Sequence, residues 1–354
     1  MTESHSSTLI GVAQKFDITG RVSDVQKYGN GHINRTYLVT TDKKRYILQK
    51  INADVFPNVE NLMSNIVAVT NHLRSRGENT LTLVPTVDGD CYLRDGGYRM
   101  YEYIENTVAL QAARDENTLT VCGNAFGRFV NALSDFDASI LHETIPFFHD
   151  TPRRFGAFCA ALENDKSRRT HTCAPEIKFI NSTGDTLDKI IKGLADGSLP
   201  LRVTHNDTKL NNILFDSVTG DARAVIDLDT VMSGSMLYDF GDAIRFAANK
   251  ASEDEKDAKK AKLDTKLFTA YAQGYLNAVK NSVTDKEIEL MPYSAYLMTL
   301  ECGIRFLTDY LDGDVYFATQ YPEHNLVRCR TQLKLAHDIM SNASTLQNII
   351  YSII

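Results

Sequence analysis

The stretch Val203-Thr204-His205-Asn206-Asp207-Thr208-Lys209-Leu210-Asn211-Asn212-Ile213-Leu214-Phe215 decides how the rest of the chain is read. An apolar, β-type run on each side brackets a polar loop in which an aspartate and an asparagine stand five residues apart. Fifteen residues past Asn212 a second apolar run, Ala224-Val225-Ile226, leads into Asp227-Leu228-Asp229, with the turn Thr219-Gly220-Asp221 before it. Antiparallel strands joined by a short turn bring their ends together, so the pattern predicts Asp207, Asn212 and Asp227 at one strand edge. One amide oxygen and one carboxylate suit Mg²⁺, which takes few protein oxygens and leaves the rest of its shell to phosphate and water. Asn212 and Asp227 are therefore the expected metal ligands. A lone Asp–Asn pair on a loop is ordinary turn chemistry, and Asp227 alone could be an N-cap. The weight lies in the order and spacing of all the pieces. Asp229 stays open between a second metal ligand and a solvated or capping carboxylate.

Around this island the chain changes character. Tyr37-Leu38-Val39-Thr40 and Tyr46-Ile47-Leu48-Gln49 flank Thr41-Asp42-Lys43-Lys44, a hairpin signal. Leu62, Ile66, Val69 and Leu73 form one stripe of a helix expected from about 58 to 73, and Arg99 to Ile104 reads as another strand. After Asn106 helix dominates. Leu119, Cys122, Phe126, Phe129, Leu133 and Phe136 step by three and four, as do Leu297, Leu300, Ile304, Leu307 and Leu311. The charged run from Lys250 to Lys262 reads as a solvated face without a function of its own. The expected architecture is α+β: a small β-rich N-lobe, residues 1–104, and a larger helical C-lobe, residues 105–354, carrying a β island.

Composition narrows the class. The 354 residues hold 38 basic and 45 acidic side chains, a net charge of −7, which argues against a nucleic-acid partner that would need a basic face. No run approaches the roughly 20 apolar residues of a membrane span, and no signal peptide is visible at the polar start. Six dispersed cysteines lack any Cys-x-x-Cys pair, as expected of reduced thiols in the cytoplasm. A cytoplasmic monomer without a membrane partner is the expectation.

The spacing H-N-D-x-x-x-x-N followed by Ile-Asp-Leu-Asp is the parts list of phosphoryl transfer. One Asp orients the attacking hydroxyl and accepts its proton, and a metal neutralises nucleotide phosphates. With Gly234-Ser235-Met236-Leu237-Tyr238-Asp239 as a further G-x-x-x-x-D stretch, the sequence resembles the aminoglycoside phosphotransferase and choline kinase superfamily. The resemblance implies a two-lobed protein-kinase-like fold, ATP as co-substrate, Mg²⁺, and Asp207 as catalytic residue, with His205 supporting the loop. Tyr28-Gly29-Asn30-Gly31-His32-Ile33-Asn34 would be the phosphate cover, with Gly29 and Gly31 against the nucleotide and Asn34 where a third glycine would stand. Glu102 and Ile104 fall where a hinge would bind the base through main-chain atoms. The strand lysine of that fold is missing. Gln49 occupies the inward register and is the candidate nucleotide contact, with Lys50 outward unless a bulge reverses the alternation, and the helix from 58 carries only Glu60 near its start, so the usual Lys–Glu pair stays open.

Over nearly its full length the chain resembles the N-acetylhexosamine 1-kinase family of bifidobacterial type. The likeness rests on Gly31 to Asn34, Thr204 to Asn212, Glu301 to Phe306, Asp309-Tyr310-Leu311-Asp312-Gly313-Asp314-Val315-Tyr316-Phe317-Ala318-Thr319, and Tyr321 to Asn325. It implies transfer of the ATP γ-phosphate to the anomeric hydroxyl of an N-acetylhexosamine, a small sugar substrate. His32, Asn34, Asp207, Arg305 and Tyr316 are the candidate sugar contacts, with a Glu301–Arg305 salt bridge or core packing as the plain readings of the last two. A kinase for choline, an aminoglycoside or another hexose, and a non-catalytic nucleotide-binding module, are the alternatives. The chain has no Trp for a choline cage, though 16 Tyr could substitute.

Overall fold

A computed structural model describes residues 3–354 other than Asn30, His32 and Arg114, with backbone alone for 3–7. The fold is mixed α+β, with a β-sheet N-terminal region and a helical C-terminal region. Two compact units make up the chain: Met1–Val108 with Ile140–Pro146 and Leu214–Met232, and Ala109–Ser139 with Phe147–Ile213 and Ser233–Ile354. Among the described residues no helix is long and apolar enough to cross a membrane.

The first unit begins with helix α1 (Glu3–Ala13) and holds strands β1 (Val22–Lys27), β2 (Arg35–Thr41), β3 (Arg45–Lys50), β4 (Leu83–Val84) and β5 (Tyr98–Glu102) in one antiparallel sheet, order β1-β2-β3-β5-β4. The expected hairpin is β2–β3, closed by Thr41, whose hydroxyl accepts from the amides of Lys43 and Lys44. Strand alternation sends Tyr37, Val39, Tyr46, Leu48 and Met100 to one face, where they pack with Leu9, Ala13 and Phe16 in a dry core. The fully buried Leu48 belongs to that core, where truncation to Ala costs roughly 2–5 kcal/mol. The opposite face carries Leu38, Ile47 and Tyr101, and beside them a polar row in direct register, Thr36, Gln49 and Arg99.

Helix α2 (Val59–Ser75) buries the expected stripe and starts at Asn58, whose side chain accepts from the Asn61 amide. Its buried Asn65 donates to the carbonyls of His142 and Val231 and accepts from the His142 amide. That one side chain ties the two short excursions of this unit to α2. Strands β6 (Thr107–Ala109), β7 (Arg202–Thr204), β8 (Ile213–Asp216), β9 (Ala222–Val225) and β10 (Met232–Gly234) form two small sheets, β6-β8-β9 and β10-β7. The expected turn at Gly220 (φ 77°) joins β8 to β9.

The second unit contains α3 (Glu116–Ala132), α4 (Thr151–Asn164), α5 (Ala174–Asn181), α6 (Lys189–Asp196), α7 (Met236–Ala247), α8 (Thr265–Val279), α9 (Asp285–Asp312), α10 (His324–Ser341) and α11 (Ala343–Ile353). Helices α3 and α8 meet backbone to backbone: a Cβ on Gly274 would stand 2.0 Å from the Thr120 carbonyl oxygen. α3 ends at Ala132, capped at Leu133, so Phe136 lies past the helix that its spacing predicts. α9 opens on a capping box of Thr284 and Glu287. The same Glu287 carboxylate accepts from Arg202 at 2.6 and 2.8 Å, anchoring the start of β7 to the cap of α9. The charged run after Lys250 is not merely solvated: Glu253 pairs with Arg245, and Asp254 with Arg328 and His324.

Candidate active site

In the second unit the loop after β7 hangs from helix α7 by its own backbone. The amides of His205 and Asn206 donate to Asp239 Oδ2 and Oδ1 at 2.8 and 2.7 Å, and the Thr208 amide donates to Asp242 Oδ2 at 3.1 Å. The Thr208 hydroxyl adds a bond to the Asp239 carbonyl at 2.7 Å. Asp239 is fully buried, and that burial pushes its carboxyl up to about 6 against the pull of His205 and the two amides. Burial also pushes Asp242 up, but Arg245 and Lys209 outweigh it and hold the carboxyl below its ordinary value. Asn206 sits at φ 64°, a left-handed position that Asn tolerates better than most residues. His205 packs edge-on to Phe126 and Phe129, and its Nδ1 accepts from the Asp207 amide at 3.3 Å. It supports the loop, as expected.

These restraints fix the Asp207 carboxylate. Oδ2 accepts from Asn212 Nδ2 at 2.9 Å, and Oδ1 lies 2.6 Å from Lys209 Nζ. Asn212 Nδ2 also reaches the Asp207 carbonyl at 2.8 Å. With that nitrogen spent on Asp207, the Asn212 Oδ1 is the donor atom left to a ligand. Burial works against the Lys209 ammonium, yet Asp207 and Asp242 keep it more basic than usual. Beside this loop lies a cavity of about 540 Å³ lined by Thr208, Lys209, Asn211, Arg245, Phe246 and Glu253 among others, within the range of small-ligand pockets.

In the first unit Asp227 follows β9 with φ 62°. Two residues on, the Asp229 carboxylate, 3% exposed, pairs with Arg99 Nη1 at 2.6 Å and accepts from Asn34 Nδ2 at 2.6 Å. Arg99 Nε and Nη2 donate to Gln49 Oε1 at 3.0 and 2.9 Å, and Gln49 Nε2 donates to the Thr36 hydroxyl. The Asn34 Oδ1 accepts from the Asn52 amide at 3.0 Å.

A family model for the phosphotransferase enzyme family matches residues 24–277, well over half of the chain. The chain belongs to this family. Solved structures with the same fold include an aminoglycoside phosphotransferase from Alicyclobacillus acidocaldarius (14% identity, TM-score 0.61, covering 99% of this chain and 97% of that one). A choline kinase from Cryptosporidium parvum is similar at 14% identity and TM-score 0.60, with 97% and 98% covered. So is a spectinomycin phosphotransferase solved with ADP and spectinomycin, at 13% identity and TM-score 0.53, with 95% and 98% covered.

The other sequence-predicted residues of this phosphotransferase fall as follows. Gly29 has φ 70°, a left-handed turn position. Gly31 does not, and a Cβ there would meet nothing within 4 Å among the described residues. His32 lies outside the described residues. The Glu102 amide is spent on the Thr82 carbonyl and its carboxylate on Lys44, while the Ile104 carbonyl accepts from Thr107. Lys50 stands over the Tyr98 ring and Gln49 on the Arg99 face, as alternation predicts. Arg305 lies among the rings of Phe148, Tyr316 and Phe317, and Tyr316 is 67% exposed. Glu301 is buried and engages His149 at 2.9 Å and Thr151 at 2.5 Å. The loop after α9 is gathered by Asp309, which accepts from the amides of Val315, Tyr316 and Phe317. Arg305 and Tyr316 are not among the residues lining the cavity beside Asp207. Sequence reasoning missed Lys209 and gave Asp239 no role. The Asp-x-Lys spacing and the five-residue step from Gly234 were the available signals.

Proposed function

We propose that this phosphotransferase is an ATP-dependent kinase that phosphorylates the anomeric C1 hydroxyl of an N-acetylhexosamine. The observation that carries the phosphoryl-transfer step is the Asp207 carboxylate, presented on a loop pinned to Asp239 and flanked by Asn212 on one oxygen and Lys209 on the other. The sugar hydroxyl would donate its proton toward Asp207 and attack the γ-phosphorus in line. The new C1–O–P bond forms as the bond to the β,γ-bridging oxygen breaks, and ADP leaves with that oxygen's electron pair. In a loose transition state Asp207 mainly orients and takes the proton late. Lys209, paired with Asp207 here and lining the adjacent cavity, would be the ammonium that meets the transferring phosphoryl oxygens, and release of Asp207 to the sugar would accompany that shift.

Mg²⁺ is the ion proposed from the sequence motif, which offers it one amide oxygen, Asn212, and one carboxylate, Asp227, the sparse oxygen set that it accepts. When bound, the ion would neutralise nucleotide phosphate charge. Gly29 and Gly31 are proposed as the nucleotide cover, where a glycine lets the backbone approach a phosphate closely.

The sugar identity is supported by the likeness over Asp309 to Thr319 and by Arg305 among three aromatic rings. ADP release measured across N-acetylhexosamines, unacetylated hexoses, choline and an aminoglycoside tests it, with turnover confined to choline or the aminoglycoside overturning it. Arg305→Ala should raise the sugar KM at least about threefold, the scale of one lost polar contact, with the ATP KM unchanged. Wild-type constants in that variant would make Arg305 structural.

A further inference from the structure

The kinase reading leaves one part unfilled, the strand lysine that joins the sheet to the phosphate site. We infer that Arg99 takes over its positioning task, acting through Asp229 on the turn that carries Asp227, and that Asp229 is therefore the fixed partner of Arg99 and not a second metal ligand. This rests on the nucleotide-dependent reading above.

Four observations converge. Arg99 is 1% exposed, and a guanidinium is kept in such a place only when paired. Its polar contacts run along one line: Thr36, Gln49 and Arg99 sit in direct register across β2, β3 and β5, and the line ends on Asp229, while the guanidinium also stands over the Tyr101 ring. The neighbouring row of the same face, Leu38, Ile47 and Tyr101, is largely apolar, so packing alone does not call for charge there. A buried ion pair is seldom the most stable filling of such a space, which leaves specific placement as its use.

The second and third observations concern the turn. Asp227 holds φ 62°, a left-handed angle that Asp, like Asn, adopts more readily than most residues, and the turn after it is held from several sides. Asp229 is held by Arg99 on its carboxylate and by the Thr144 hydroxyl on its carbonyl at 2.9 Å, and Val231 by Asn65 at 3.0 Å. The carboxylates of Asp227 and Asp229 are both within electrostatic reach of Arg99. Its guanidinium is paired directly with Asp229, the carboxylate it fixes in place.

The fourth observation is the far arm. Asn34 closes the glycine-bearing segment, and its amide is engaged at both ends, Nδ2 on Asp229 and Oδ1 on the Asn52 amide. Through Asp229, then, one arginine sets the phosphate cover and the metal-bearing turn together. The lysine–glutamate pair of a protein kinase ties its strand to a helix. In this chain the tie runs from strand β5 to the turn after β9.

The test reads MgADP binding by calorimetry and thermal melting in parallel, on the full chain, for Arg99→Met, the double replacement Arg99→Met with Asp229→Leu, Arg99→Lys and Asn34→Ala. Arg99→Met should melt lower and bind MgADP at least about tenfold more weakly, the scale seen when a residue supporting metal ligands is removed. The double replacement, apolar on both sides, should regain most of the lost melting temperature while keeping the weakened binding. Arg99→Lys should recover only part of the affinity, since an ammonium cannot span Gln49 and Asp229 in the same plane. Asn34→Ala, which cuts only the far arm, should weaken MgADP with a smaller fall in melting temperature than Arg99→Met, and it decides the matter if Arg99→Met does not fold. Wild-type MgADP affinity in the double replacement, or in Asn34→Ala, would overturn the inference. Absence of MgADP binding by the wild-type chain would instead overturn the kinase reading beneath it.

Discussion

The Asp207 loop and the Asp227 turn are held by different kinds of bond. Around Asp207 the restraints are main-chain amides of His205, Asn206 and Thr208 delivered to two carboxylates one helical turn apart on α7. Around Asp227 every restraint passes through a side chain, from Thr36, Gln49, Arg99 and Asn34 to the Asp229 carboxylate and from Thr144 and Asn65 to the carbonyls of Asp229 and Val231. The difference teaches which substitutions each region tolerates. A loop hung by its backbone keeps its course when its own side chains change, because the amides remain whatever they carry. A turn held by a chain of side chains loses its placement when any one link is cut.

The most damaging way to test that contrast is Asp239→Ala. It leaves two buried backbone amides without their acceptor, each worth roughly 1–3 kcal/mol, so stability should fall by about 2–6 kcal/mol in denaturant unfolding, with turnover abolished. Stability within 0.5 kcal/mol of wild type, about the range of a surface substitution, would show that the loop is held by something else.

A sharper, smaller comparison uses the two glycines. Gly29→Ala forces a Cβ into a left-handed angle and should cost about 1 kcal/mol. Gly31→Ala meets nothing among the described residues and should leave the melting temperature unchanged while raising the ATP KM. If Gly31→Ala changes neither quantity, the segment does not cover the phosphates.

The smallest effect is on pH. Burial pushes Glu301 up, but His149, Thr151 and Arg305 outweigh it and hold the carboxyl below its ordinary 4.5. Asp242 is likewise held below 3.8. A depressed folded value stabilises above the unfolded one, and that contribution is lost as pH falls below about 4.5. Asp239, raised to about 6, runs the other way: its contribution is complete below about 3.8 and fades as pH rises to about 6. Melting temperature should therefore drop on the acid side below pH 4.5, less steeply in Glu301→Gln. Parallel acid limbs would remove Glu301 from the account.

Much of this was legible in the chain because it is local. The β2–β3 hairpin, the α2 stripe, the α9 repeat and the loop from Thr204 to Asn212 are each written within a few consecutive turns or strands. The pairs that give the site its order are not. Asn34 and Asp229 are 195 residues apart and His149 and Glu301 are 152 apart, and neither periodicity nor motif spacing joins them. For the same reason Glu301 could be matched only to its neighbour Arg305 on the helix, and the acidic residues after Lys250 could be taken for a solvated face. What local charge cannot tell is where the opposite charge will be brought. Arg99, a lone basic residue inside a strand pattern, was the one visible hint of the Asp229 pairing.

The central claim is that Asp207 orients the acceptor hydroxyl on a loop whose geometry does not depend on its own side chain. Acceptor-dependent ADP release by Asp207→Asn, with MgADP affinity measured on the same preparation, tests it most directly. The predicted result is a loss in kcat of at least about 100-fold, the lower end for a general base, with MgADP affinity and melting temperature close to wild type. Near-normal turnover in that variant would contradict the role of Asp207.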